Sequence, residues 1–263
     1  MKLEGKRIFI TGASSGLGHG MALALAQRGN DLAVTARREE RLRALATEVE
    51  ALGRRCVVVP ADATDQAASA QAFERAVAEL GGIDVAILNA GGGRPTNMAS
   101  ASVEDVIGIQ RANFDTLVNF LVPAMAHMQG AGGGVIAYTG SPAGYFGLPK
   151  SGPYSASKAA GRVLIDSCRI ELAPHNVRFV ALYPGFTYTD ALDPDQVPIR
   201  ALIIDKERAV REVVWAIERE RSHHLFPKRI RVLIGFARML PEPLRRRILS
   251  AAAGSPETGA AQR

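Results

Sequence analysis

Two cysteines and five histidines in 263 residues leave little material for disulfide or metal chemistry. Cys56 opens the apolar run CVVVP and Cys168 sits in a helix-patterned segment, so both read as buried, inert thiols. The histidines show no ligand spacing. His223 and His224 are neighbours whose side chains diverge on most backbones, and no metal is called for. Aromatic residues make up only 6% of the chain, which leaves no base-stacking platform, and no nucleic-acid motif accompanies the basic residues. Nucleic acid is therefore not an expected partner. No apolar run reaches the length of a bilayer span. The start, MKLEGKRIFITG, enters a strand-like stretch with no signal-type apolar region, which implies a cytoplasmic location.

Hydrophobic residues, at 47%, are plentiful enough for a sizeable core. They fall in short continuous runs at Arg7–Ile10, Asp31–Thr35, Cys56–Val59, Val85–Leu88, Val135–Tyr138 and Arg178–Leu182. Runs without alternation suit strands covered on both faces of a parallel sheet. Helix-patterned segments lie between them, at Gly18–Arg28, Glu39–Leu52, Gln66–Leu80, Val103–Met128 and Tyr154–Pro174. Such alternation predicts an α/β fold, a doubly wound parallel sheet in three layers. No linker divides the chain. We expect one domain over 1–226, an appendage over 227–250 and a disordered Gly/Ala-rich tail over 251–263.

The first strand is followed by TGASSGLGHG and then by MALALAQR. Glycines at 12, 16 and 18 permit a tight turn and close backbone approach, and they aim a helix N-terminus at a pyrophosphate. At the end of the second strand, where a carboxylate would receive the adenosine ribose, stand Ala36, Arg37 and Arg38. Guanidinium groups there grip a 2′-phosphate, so NADP(H) is favoured, with NAD(H) possible. Asp62 follows the third strand, placed either for the adenine edge or to cap the next helix.

GPYSASKAAGR sets Tyr154 and Lys158 one helical turn apart, on one face. A phenol titrates near ~10, and a neighbouring ammonium is expected to lower that value and make it a usable acid or base. Tyr145 has Pro149 four residues on and Tyr138 has Pro142, so neither has this geometry.

TGASSGLG, the NAG of Asn89, Ala90 and Gly91, Asn113, Ser141, YSASK and the PG of Pro184 and Gly185 occur in order. Together they resemble the short-chain dehydrogenase/reductase family over about residues 5 to 190. The resemblance implies a Rossmann-type fold of about seven strands. It also implies Tyr154 as proton donor to a carbonyl oxygen and Ser141 as the hydroxyl that orients it. Lys158 would hold the nicotinamide ribose, and Asn113 would keep a relay water. The implied cofactor cradle comprises Gly12, Ser14, Ser15, Gly16, Leu17 and Gly18, then Arg37, Arg38, Asp62 and Ala63. It continues with Asn89, Ala90, Gly91, Tyr154, Lys158, Pro184 and Gly185, with Thr187 and Thr189 both available near the nicotinamide. The expected reaction is reversible hydride transfer between NADPH and a ketone or aldehyde, the substrate being apolar or lipid-like. A non-catalytic nucleotide-binding regulator on the same fold is the alternative.

The C-terminal end departs from the family, whose last strand often carries a glycine-rich finish. Here it reads SHHLFPKRIRVLIGFARMLPEPLRRRIL, so the usual tetramer and a tie to ketoacyl-thioester reductases do not follow. A homodimer or homotetramer is expected. Residues 228–247 hold seven Lys and Arg against Glu242 alone, which equals the whole chain's net charge of +6. Ile230, Leu233, Ile234, Ala237 and Leu240 form one helical stripe, widened by Val232, Phe236 and Met239. Two readings stand: a helix packed on its own domain or across a dimer, and a surface helix in peripheral contact with anionic membrane.

Overall fold

The computed structural model describes residues 1–188 and 203–252. Along the chain come β1 (Arg7–Thr11), α1 (Gly16–Ala26), β2 (Asp31–Thr35), α2 (Glu39–Ala51), β3 (Cys56–Val58) and α3 (Gln66–Leu80). Next are β4 (Val85–Leu88), α4 (Val103–Gln110), α5 (Thr116–Gly130), β5 (Gly134–Thr139) and α6 (Gly152–Glu171). The last are β6 (Val177–Pro184), α7 (Lys206–Glu218), β7 (His223–Phe226), α8 (Lys228–Met239) and α9 (Glu242–Ala252).

All seven strands pair in parallel, in the order β3-β2-β1-β4-β5-β6-β7. Alternate residues of each strand enter opposite layers. Ile8, Ile10, Val85 and Val180 pack under α1, α2 and α7, whereas Phe9, Ala86, Ile136 and Phe179 pack under α3, α5 and α6. Both faces are dry, and this accounts for the unbroken apolar runs. Phe9 meets Phe73 edge-on at 5.1 Å and Phe120 at 5.4 Å, at the centre of the second layer. The strand order reverses between β1 and β4, so a crevice opens at their C-terminal ends.

The expected strands lie where they were read, within two residues. β7 is short and was implied only by the family resemblance. The single helix expected over Val103–Met128 is instead α4 and α5 joined by a π-helical turn, Arg111–Asp115. Asn113 lies within that turn, and its Nδ2 donates to the Ile109 carbonyl at 2.9 Å. Thr116 Oγ1 donates to the Arg111 carbonyl at 3.2 Å, so side chains serve backbone acceptors where the turn widens. Cys168 is buried as expected, but Cys56, at the start of a three-residue strand near the sheet edge, is only half-buried. Burial pushes its thiol up to about 12, which keeps it protonated. His223 and His224 diverge: one lies by Asp166 and Tyr183, the other bonds Glu212 at 2.8 Å.

The appendage helix differs in two respects from the expected stripe: it ends at Met239, with Leu240 extended beyond it, and Leu233 leaves the packed face. Ile230 is buried and Ile234 and Ala237 are half-buried, but Leu233 is exposed. Three residues from Ile230 is 300° around a helix, far enough to turn Leu233 off the packed face. Among the described residues no helix is long and apolar enough to cross a membrane. The tail, beyond Ala252, lies outside the described residues.

Candidate active site

Gly12 (φ +69°) and Gly16 (φ +57°) carry the chain from β1 into α1. A Cβ on Gly12 would stand 2.9 Å from Ala90 Cα, and one on Gly18 would stand 2.9 Å from Asn89 Nδ2. The turn therefore packs backbone to backbone against the end of β4. There Asn89 and Ala90 both donate N–H to Thr11 Oγ1, at 2.9 Å each. Leu17 anchors the turn on the core. Ser15 makes no side-chain cap to α1, so the helix presents N–H groups and its positive end to the crevice. Such a cradle fits a pyrophosphate and leaves no room for side chains at 12 or 18.

Arg38, just past β2, reaches back to this turn. Its Nη2 donates to Ser14 Oγ at 2.9 Å and to Ser15 Oγ at 2.8 Å. Arg37 is exposed beside it. Asp62 accepts from the N–H and hydroxyl of Thr64, at 3.0 and 2.8 Å. Those bonds hold its carboxyl below the usual range, with the charge of Arg37 a smaller contribution. Asp62 does not cap α3; Asp65 does, accepting from Ala68 N–H at 3.0 Å. The Ala63 carbonyl accepts from Asn119 Nδ2 at 3.0 Å, which ties this loop to α5.

At the other end of the crevice, Tyr154 stands in the first turn of α6, which begins at Gly152 with Pro153 beside it. Lys158 is 4% exposed. Its Nζ donates to the Thr139 carbonyl at 3.2 Å and lies 5.7 Å from the centroid of the Tyr154 ring. Burial brings its ammonium down to about 8. Ser141 follows the end of β5, where its Oγ accepts from Ala143 N–H at 3.2 Å and its hydroxyl lies near the Tyr154 phenol. The expected depression of the Tyr154 phenol is not found. Burial raises it, and the nearby Ser141 hydroxyl only partly opposes this, because Lys158 is directed at Thr139 and the ring.

Asn113, 3% exposed, accepts from Gly92 N–H at 3.1 Å and donates to the Gly92 carbonyl at 2.6 Å. A Cβ on Gly91 (φ +149°) would meet Asn113 Oδ1 at 2.8 Å and Lys158 Nζ at 3.3 Å. Asn113, Gly91 and Lys158 thus share one small volume. Pro184 ends β6, and Gly185 N–H donates to the Phe226 carbonyl at 2.8 Å. Thr187 bridges to Ile204, and its hydroxyl donates to the Gly185 carbonyl at 3.2 Å. Thr189 lies outside the described residues. The other local hydroxyls are packing or backbone groups: Ser157 donates to the Tyr154 carbonyl at 2.8 Å, and Ser155 is buried.

A family model described as short chain dehydrogenase matches residues 6–197. The chain belongs to the short-chain dehydrogenase family. An uncharacterized oxidoreductase of Myxococcus xanthus is 34% identical over 235 residues, covering 89% of this chain and 92% of its own. An 11-beta-hydroxysteroid dehydrogenase-like 4A of Arabidopsis thaliana is 32% identical over 251 residues, covering 92% and 83%. Among solved structures, a short chain dehydrogenase of Burkholderia cenocepacia in complex with NADP aligns with TM-score 0.77 and 27% identity, over 86% of this chain and 97% of that one. This short-chain dehydrogenase is accordingly an NAD(P)-dependent oxidoreductase acting on the CH–OH/C=O pair.

Three site features escaped the sequence reading. Thr11 pins the end of β4 through its hydroxyl, yet a threonine closing a strand carries no signal. Thr139 supplies the carbonyl that Lys158 engages, and a backbone oxygen has no side-chain signature. Gly93 packs on the Tyr154 ring: a Cβ there would lie 2.8 Å from Cδ2. The run of three glycines at 91–93 was its only trace.

Proposed function

We propose that this dehydrogenase reduces an apolar ketone or aldehyde with NADPH, and oxidises the alcohol in reverse, with Tyr154 as the general acid/base. The nearness of the Tyr154 and Ser141 hydroxyls beside the buried Lys158 ammonium, whose Nζ lies 5.7 Å from the Tyr154 ring centroid, carries this reading. A carbonyl oxygen there accepts from both. As negative charge gathers on it, the Tyr154 proton transfers, and Ser141 holds the oxygen in place. Lys158 opposes the negative charge left on the phenolate. Asn113, whose amide is held by Gly92 and Ile109, keeps the relay position behind Lys158.

The cradle of Gly12, Ser14–Gly18 and Asn89–Gly91 would hold the dinucleotide, with Pro184, Gly185 and Thr187 bordering its nicotinamide end. When bound, the cofactor supplies or accepts the hydride. The Arg38 guanidinium, steadied by two serine hydroxyls with Arg37 exposed alongside, supports preference for a 2′-phosphate. The steroid-type name of the Arabidopsis relative supports an apolar substrate. We place the protein in the cytoplasm as a homodimer or homotetramer. Exposed Val122, Val163 and Ile170 on α5 and α6 offer apolar surface for such assembly.

The test is a screen of ketones, aldehydes and secondary alcohols with each of NADPH/NADP and NADH/NAD. Turnover of apolar carbonyls with NADPH, abolished by Tyr154→Phe, is expected. A severalfold preference for NADH would sink the assignment of Arg38. A Tyr154→Phe protein with full biological activity would favour the regulator reading instead.

A further inference from the structure

α8 carries two apolar rows where packing needs one. The inner row, Ile230, Ile234 and Ala237, faces the domain, and Ile230 Cδ1 fills the space a Cβ on Gly185 would take. The outer row is Val232, Leu233, Phe236 and Met239, with Phe236 60% and Met239 83% exposed. On α9, Leu244 and Ile248, one turn apart, are exposed as well. Around them Lys228, Arg229, Arg231, Arg238, Arg246 and Arg247 are all exposed. We propose that α8 and α9 form a docking face for an anionic lipid bilayer, the outer row entering the interface and the cations meeting lipid phosphates.

Charge decides between this occupant and a second copy of the chain. A twofold interface through α8 and α9 would bring two segments of +6 together with Glu242 as the lone acid on each side. An anionic bilayer presents the opposite sign, and fluid acyl chains accept Phe236 and Met239 without a matching pocket. Neither helix can span the bilayer, so the contact is interfacial. The face is also tied to the site. Arg238 stacks on the Tyr145 ring at 5.8 Å and Arg245 on the Phe146 ring at 5.7 Å, both in the segment joining Ser141 to Tyr154. A cavity of about 680 Å³ lies there, lined by Tyr145, Phe146, Leu148, Arg238, Arg245 and Leu249. Docking itself is independent of the proposed reaction; delivery of an apolar carbonyl compound to this cavity rests on that reading.

The test is co-sedimentation of the full chain with vesicles of phosphatidylcholine, alone and mixed with phosphatidylglycerol, at low and high salt. Partitioning onto the mixed vesicles is expected to exceed that onto neutral ones by about tenfold or more, and to fall with salt. The double variant Phe236→Glu/Met239→Glu should lose about tenfold in partitioning. Both side chains are exposed, so its circular dichroism and its NADPH turnover of a water-soluble carbonyl without vesicles should match wild type. Absence of binding to phosphatidylglycerol vesicles would overturn the proposal, as would equal binding by the double variant. A wild-type dimer that fails to bind vesicles and becomes monomeric on the double substitution would assign the face to a second copy. Vesicle binding without any carbonyl turnover would leave docking standing and sink the enzymatic reading alone.

Discussion

The two ends of the crevice are built differently. Around Lys158 the groups interlock: Lys158 and Asn113 are buried, Tyr154 is half-buried, and a Cβ on Gly91 or Gly93 would run into their side chains. At the other end Arg37 and Arg38 are exposed, and the hydroxyls of buried Ser14 and half-buried Ser15 steady the Arg38 guanidinium at the edge of solvent. A dry corner strengthens electrostatic effects and punishes any change of shape, whereas a wet edge admits substitution at little cost to the fold. On the proposed function, chemistry and cofactor choice are thereby separable.

Substitutions at each end test that separation. Tyr154→Phe should lower kcat by about 10³-fold while leaving NADPH affinity near wild type, since only the proton is removed. Measured kcat together with fluorescence titration of NADPH will check this. Lys158→Met, at the same corner, should abolish turnover yet stabilise the cofactor-free protein. Its folded-state pKa, about 8, lies below the unfolded value of 10.5, so at pH 7 the ammonium is charged in both states and pays for burial only when folded. Stability of the wild type should rise with pH between those two values, as the folded state sheds the proton first. The advantage of Lys158→Met, on the order of 3 kcal/mol at pH 7, should therefore shrink to nothing above pH ~10.5 in urea unfolding.

Gly93→Ala should displace the Tyr154 ring and lower kcat by about 10²-fold with little change in KM for NADPH. A wild-type kcat in that variant would show the corner to be looser than its contacts suggest. Arg38→Ala has the smallest expected effect. KM for NADPH should rise by about tenfold, KM for NADH should stay, and thermal stability should hold. If NADH binding weakened equally, the edge would be serving the shared part of both cofactors.

Much of this was legible in sequence because parallel strands and glycine turns leave local traces. β2, β4 and α3 lie at the residues their patterns indicated. Asn113 was found through the family motif, but its π turn was not, since one extra residue in a long helix barely disturbs an apolar period. That Asp62 does not cap α3 emerged only with Thr64 and Asp65 in place. Tyr154 shows the limit of pair reasoning. A four-residue spacing brings Lys158 onto the same face, yet desolvation, which no spacing reveals, sets the direction of the phenol's shift. On α8, nearly every non-basic residue is apolar, so the sequence could not say which row would face outwards.

The contact between Gly185 and Ile230 binds two segments that are 45 residues apart in the chain. One borders the crevice and the other opens the appendage, and a Cβ at 185 would sit 2.2 Å from Ile230 Cδ1. They behave as a lock and its bolt: the smallest residue at 185 is the slot, and the branched tip at 230 is what slides home. A side chain at 185 would push α8 off its seat unless position 230 shrank to match.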